Sequence, residues 1–283
     1  MMRGVLVLML CASCSKYSQQ EEQAKASLAE PTPPSAQTLS LELGPMIDAA
    51  SGSAMRAGLH HAQASFFLAL VDAHVASRLR APAAFLAAAS GARPQLVDRG
   101  VRVWSFRAEA DGRPYASNLR SSTPDDSETA MWSLEVTSLP RDEAGCCEDF
   151  ELASGEAEVP GRGRWLLYDL RDAATPRSRL FSVAYDATAP DQRKLTVQVT
   201  SRKPSTERLG AGSLVVQEVS GDAVRLTLRD ASEAGMRVFA WSRATGAGSY
   251  QDPAGKVVCW GGELEGLEDV ACPKDEATAP SSP

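Results

Sequence analysis

From Pro94 to Trp260 the chain alternates apolar and polar residues, with turn-forming residues interrupting at intervals of roughly 8 to 15. A period of two sends successive side chains to opposite faces of a strand, so this stretch reads as a β-meander. The clearest hairpin turns at Asp111-Gly112, which sets Trp104 opposite Leu119, Phe106 opposite Ser117 and Ala108 opposite Tyr115 on one shared face. A second hairpin, turning at Gly221-Asp222, pairs Val219 with Val224 and Val215 with Leu228. Further strands are expected around 132–136, 150–154, 165–170, 180–185, 195–199, 237–243 and 256–260, about eleven in all. So long a meander cannot stay flat. Strands twist and one apolar face needs cover, so a half-barrel, barrel or sandwich is expected.

Ahead of the strands, Met55, Leu59, Ala62, Phe66, Leu70 and Ala73 recur at steps of three and four, and Phe67 and Val71 widen the stripe. This predicts an amphipathic helix over about 53–79, suited to plug or cover the sheet. Pro82 stands where an N1 proline opens a second, short helix through Phe85 and Leu86, closed by Gly91, so the pair is expected to form a helical hairpin or elbow. The fold class is thus mainly β, with helices over about 53–91 and a meander over about 97–261, inside one globular α+β domain over 41–272. One long helix followed by about eleven antiparallel strands is similar in layout to the half-barrel carriers and receptors that move lipoproteins to the outer membrane. That likeness is one of element order.

The amino terminus carries a different signal. Behind Arg3, the run from Gly4 to Leu10 is a secretory h-region, far short of the roughly 20 apolar residues of a membrane span. Ala12 and Ser13 then precede Cys14, and this arrangement resembles a bacterial lipoprotein signal, although Cys11 stands where such signals usually carry Leu. The resemblance implies removal of residues 1–13, lipidation of Cys14 and, with Ser15 rather than Asp following, sorting to the outer membrane. Each buried CH₂ of an acyl chain contributes about 0.8 kcal/mol, so several chains anchor stably. An ordinary signal peptide cut at the same Ser13 and a spurious start codon are the alternatives. Residues 14–40 are Gln, Glu, Ser and Pro rich over most of their length and are expected to form a disordered tether, with 273–283 a polar tail.

A formal net charge of -7 and the lack of a basic run argue against nucleic acid as a partner. With Cys14 lipidated, Cys146, Cys147, Cys259 and Cys272 remain, an even number suited to an oxidising compartment. Cys259 and Cys272 flank a Gly-rich loop and form one candidate disulfide. Cys146 and Cys147 are left with three arrangements: a vicinal bridge, reduced thiols, or separate pairing with the C-terminal cysteines. Neither pair has the spacing of a structural zinc site.

The three histidines, His60, His61 and His74, all fall on the predicted helix. His60 and His74 lie about 21 Å apart along a helix, too far to share a metal. The neighbouring His60 and His61 diverge around it and read as a solvated or capping pair. Gly161-Arg162-Gly163 precedes a strand, so it is a hairpin turn rather than a dinucleotide fingerprint. The acidic stretches at 125–128 and 141–149 match no EF-hand loop. All five tryptophans, Trp104, Trp132, Trp165, Trp241 and Trp260, fall in predicted strands. They pack a core or line a concave ligand face, with Trp260 the candidate at the rim. No metal or cofactor is expected. The sum of these readings is a non-enzymatic envelope lipoprotein whose domain is a structural or interaction module. The partners implied are the membrane, through the anchor, and other envelope proteins. The alternatives are a half-barrel binding a lipid or other hydrophobic ligand, and a carboxylate-dependent hydrolase.

Overall fold

The structure, a computed structural model, describes residues 31–44, 46–47, 58–124, 129–139, 148–158, 161–170, 178–189, 191–200, 209–261 and 267–273. The first seven strands are β1 Pro94–Asp98, β2 Val101–Ala110, β3 Arg113–Ser122, β4 Thr129–Ser138, β5 Phe150–Glu158, β6 Arg162–Tyr168 and β7 Arg179–Ala189. The others are β8 Gln192–Val199, β9 Leu214–Ser220, β10 Ala223–Arg229, β11 Arg237–Ser242, β12 Gly248–Gln251, β13 Val257–Gly261 and β14 Glu268–Val270. All lie in one sheet in sequence order, each antiparallel to the next, and the sheet does not close.

Both predicted hairpins have the expected register: Trp104 faces Leu119, Phe106 faces Ser117 and Ala108 faces Tyr115, while Val219 faces Val224 and Val215 faces Leu228. Fourteen strands replace about eleven because β1, β12 and β14 escape the alternation rule. β1 is almost wholly exposed, and β12 and β14 are only 4 and 3 residues long.

One inner row shows how the sheet is packed. Trp132, Gly155, Trp165, Val183, Val197, Val215 and Leu228 stand opposite one another across successive strands. A Cβ at Gly155 would sit 2.9 Å from Trp165 Cε3, and one at Gly248 would sit 2.9 Å from Trp260 Cζ2. Glycine is required at both places because a backbone carbonyl, of Arg164 or Ala240, lies closer still to the Cβ position and an indole crowds it from the side.

The helices form one uninterrupted run rather than a hairpin or elbow: α1 Leu59–Val71, a π-helical turn at Asp72–Ala76, and α2 Ser77–Ser90. Pro82 lies inside α2, with its ring buried, and does not open a new helix. The wide turn just upstream already departs from the regular ladder, the kind of local adjustment that accompanies a proline within a helix. The buried face also differs from the expected stripe. His61, Ala64, Ser65, Leu68 and Val71 are buried, whereas Leu59 and Phe66 remain 75% and 53% exposed. α1 carries apolar residues nearly all round, so periodicity alone did not choose its face. α2 lies on β2, and α1 reaches β12, β13 and β14, so the helical run crosses from the first strands of the curled sheet to the last.

Both sheet edges are protected. β1 begins with Pro94, which lacks a donor, and its register shifts between Leu96 and Asp98. β14 meets the start of α1, where Gly58 N–H donates to the Leu267 carbonyl at 2.9 Å.

Residues 31–40, expected within the tether, instead lie against the domain, with Pro31, Pro34, Thr38 and Leu39 buried. They run into a strap, described over 35–44 and 46–47, that opens with a 3-10 turn at Ala36–Leu39 and buries Leu39, Leu43 and Met46 to 1%, 3% and 0% exposure. Burial of each such side chain contributes about 1.5–3 kcal/mol, enough to hold a segment of otherwise polar composition.

Candidate functional site

Two polar constellations stand out, one at the start of α1 and one under the strap. At the first, Asp269 of β14 caps the helix, accepting from His60 N–H at 2.9 Å, because Gly58 at the N-cap position has no side chain to do so. His60 Nδ1 lies 3.5 Å from the same carboxylate oxygen. His60 is therefore half-buried and receives a cap from Asp269 rather than being solvated or supplying a cap itself.

His61 differs from the expected solvated residue: it is wholly buried, with its ring edge-on to Trp260 at a centroid distance of 5.6 Å. Burial pushes its pKa below the ordinary imidazole value, and the negative charge of Asp269 partly offsets this. Its Nε2 lies 3.4 Å from Ser65 Oγ, a spacing that invites comparison with a nucleophile and its base. The comparison fails on geometry. Ser65 is only 1% exposed, and among the described residues His61 Nδ1 has no hydrogen-bond partner to orient the ring as a triad acid would. The same corner carries the Cys259–Cys272 disulfide, which ties β13 to the end of the described chain.

The strap is held from the sheet side. Gln217 on β9 occupies an inward position and is 1% exposed. Its Oε1 accepts from Glu42 N–H at 2.9 Å, and its Nε2 donates to the Glu42 carbonyl at 3.1 Å. Arg193 on β8 donates to the Gln37 carbonyl at 2.9 Å and pairs with Glu42 Oε1 at 2.9 Å. Arg243, just past β11, takes Glu42 Oε2 at 3.1 Å. Burial pushes the Arg193 pKa down, Glu42 opposes this, and the neighbouring Arg243 adds to it. Beside the strap a recess of about 480 Å³ is lined by Leu39, Leu43, Ile47, Ala76, Arg80 and Asp72, among others. None of these clamp residues was singled out from sequence, although Gln217 carried a signal: it is the polar residue at an apolar phase of the β9 alternation.

Comparison of the chain with family models, curated proteins and solved structures gives no match.

The tryptophans lie inside. Trp104, Trp132, Trp165, Trp241 and Trp260 are 2%, 4%, 1%, 3% and 2% exposed. Trp260 is a core residue rather than a rim residue, its indole N–H donating to the Gly246 carbonyl at 2.8 Å. Among the described residues the indole N–H groups of Trp132, Trp165 and Trp241 meet no acceptor. Cys14, Cys146 and Cys147 lie outside the described residues, as do 125–128 and most of 141–149. Among the described residues no three His, Cys, Asp or Glu side chains converge to hold a metal ion, and no helix is long and apolar enough to cross a membrane.

Proposed function

We propose that this protein is a non-enzymatic envelope lipoprotein, anchored through Cys14 to the outer membrane, whose β domain serves as a structural or interaction module. The signal-like run ending at Cys14 supports the address. The observation that carries the role is α1: its inner side packs on the sheet, yet Leu59 and Phe66 on its outer side keep 75% and 53% of their surface exposed. Apolar surface on a helix that already has a buried face is what a protein contact uses.

Two measurements test this. Mass analysis of the amino-terminal peptide from native membranes should find a triacylated Cys14; an unmodified terminus on soluble protein overturns the anchor. In-cell cross-linking from α1 should give discrete products that Phe66→Glu abolishes while the circular dichroism stays unchanged. Products indifferent to that substitution overturn the role.

The recess beside the strap favours a second reading, a binder of a hydrophobic ligand. Saturable, one-to-one uptake of a fluorescent fatty acid by the purified domain would favour it over the first. The filled inner face, with all five tryptophans at most 4% exposed, supports the module.

A further inference from the structure

The strap is fastened in an unusual manner. Its backbone hydrogen bonds are internal, as in Thr38 N–H to Ser35 O and Met46 N–H to Leu43 O. Among the described residues, the hydrogen bonds that fasten the strap run through side chains, from Gln217 and Arg193 on the sheet and Arg243 just past β11. The sheet therefore treats this segment as a ligand. The Gln217 amide meets both the N–H and the carbonyl of one residue, Glu42, as a neighbouring peptide group would. Arg193 and Arg243 each take one oxygen of the Glu42 carboxylate. Leu39 and Leu43 flank it as apolar anchors and are buried. A small anion would use the two guanidinium groups but leave the buried amide unmatched, at a cost of about 1–3 kcal/mol. An anionic lipid headgroup would do the same, meeting the guanidinium groups but not the amide.

We infer that the groove bounded by Arg193, Gln217 and Arg243 is a peptide-recognition site that the strap occupies in cis. In trans it takes an extended segment of a partner protein with the same chemistry, a carboxylate flanked by apolar side chains. This inference does not rest on the anchor or on α1, since the recognising groups all belong to the sheet and its β11 terminus. A covalently linked occupant competes at an effective concentration that reaches the millimolar range for short linkers, so the site opens only when the strap is weakened or a stronger peptide arrives.

The test uses the full mature chain carrying Cys14→Ser, with and without Glu42→Ala, and a fluorescent synthetic peptide spanning residues 35–47. The peptide should bind the Glu42→Ala chain saturably and the unmodified chain at least tenfold more weakly. The same peptide carrying Glu42→Ala should bind at least tenfold more weakly than the native peptide, as should the native peptide to a chain that also carries Gln217→Ala. No saturable binding to a folded Glu42→Ala chain, or equal binding of the two peptides, overturns the inference. Hydrogen exchange on the unmodified chain decides the matter if Glu42→Ala does not fold. Strap amides should exchange at least tenfold faster than those of β9, through local release, and exchange at the same rate as β9 would mean that the strap is an inseparable part of the core.

Discussion

The two faces of this sheet are built from alternate residues of the same strands, yet they are specified by different physics. On the inner face, the row from Trp132 through Gly155 and Trp165 to Leu228 is a problem of volume: an indole occupies space that a neighbouring glycine leaves. On the outer face, Glu158, Arg162, Asp186, Lys194, Glu218 and Arg225 stand opposite one another across six successive strands, alternating in sign. Arg162 pairs with Asp186 at 3.1 Å and Lys194 with Glu218 at 2.7 Å. The Asp186 carboxyl lies below its ordinary pKa, chiefly through hydrogen bonds from the Thr188 hydroxyl and N–H, and also through Arg162. Packing supplies the stabilisation. The charge row is expected to add selectivity, because opposite signs meet only when the strands are in register.

The largest expected effect therefore comes from inside. Trp165→Ala should cost about 3–5 kcal/mol, the range for truncating a buried aromatic side chain. Gly155→Ala should cost about 1–3 kcal/mol through overpacking. Urea denaturation of both single variants and the double variant tests the link. If indole and glycine fit one another, Gly155→Ala costs less when Trp165 is already Ala, with the remainder due to the Arg164 carbonyl, which the new Cβ also approaches. Strictly additive costs would mean that the ring does not set the need for glycine.

The next effect lies where the inner face meets the helix start. The expected Cys259–Cys272 disulfide is present, closing a sequence separation of 13. Replacing both cysteines with serine should cost about 3 kcal/mol on the loop-entropy account. Thermal unfolding of that variant against the native chain, both without reductant, measures it. A cost well under 1 kcal/mol would show that β14 is held by Gly58 and Asp269 rather than by the bond.

His61 gives a pH-dependent expectation in the same corner. Its folded pKa is depressed by burial, so the unfolded chain takes up a proton first as the pH falls. The stability gained from keeping His61 neutral is complete above the unfolded value of about 6.5 and is lost as the pH drops from there towards the folded pKa. His60 and Asp269 are the titratable neighbours at this helix start. His61→Phe keeps an aromatic ring against Trp260, so its Tm should fall less than that of the native chain between pH 7.5 and 5.5. Equal falls would assign the acid sensitivity to carboxylates elsewhere.

How much of this was legible depended on whether local pattern decided the outcome. The hairpins at Asp111-Gly112 and Gly221-Asp222 were readable to the residue because turn chemistry and alternation agree there. The disulfide was readable because its loop is short. The buried side of α1 was not, since a helix apolar on several sides takes its orientation from its tertiary neighbours. β1 and β14 were not, because edge strands need no apolar face. The strap was missed for a physical reason of its own: its composition is that of a linker, and what fixes it is Gln217, some 175 residues away in sequence. The aromatic positions were legible as strand residues, but not whether they pack a core or line a concave face; burial of all five rings in the tertiary structure makes them core.

The smallest effect, and the most discriminating, concerns the outer row. Lys194 stands between Asp186 and Glu218, with its side chain 55% exposed. Lys194→Ala should cost a few tenths of a kcal/mol, as solvated ion pairs contribute little. Lys194→Glu places three carboxylates in line and should cost about 1 kcal/mol at low salt. Raising the ionic strength to about 1 M shortens the screening length to about 3 Å, so the two variants should then converge. If the row only decorates the surface, Lys194→Glu will match Lys194→Ala at every salt concentration. If it selects register, Lys194→Glu at low salt should also refold more slowly than Lys194→Ala at equal stability. The cost would then fall on pairing β8 with its neighbours rather than on the finished sheet, which is the division of labour that the two faces imply.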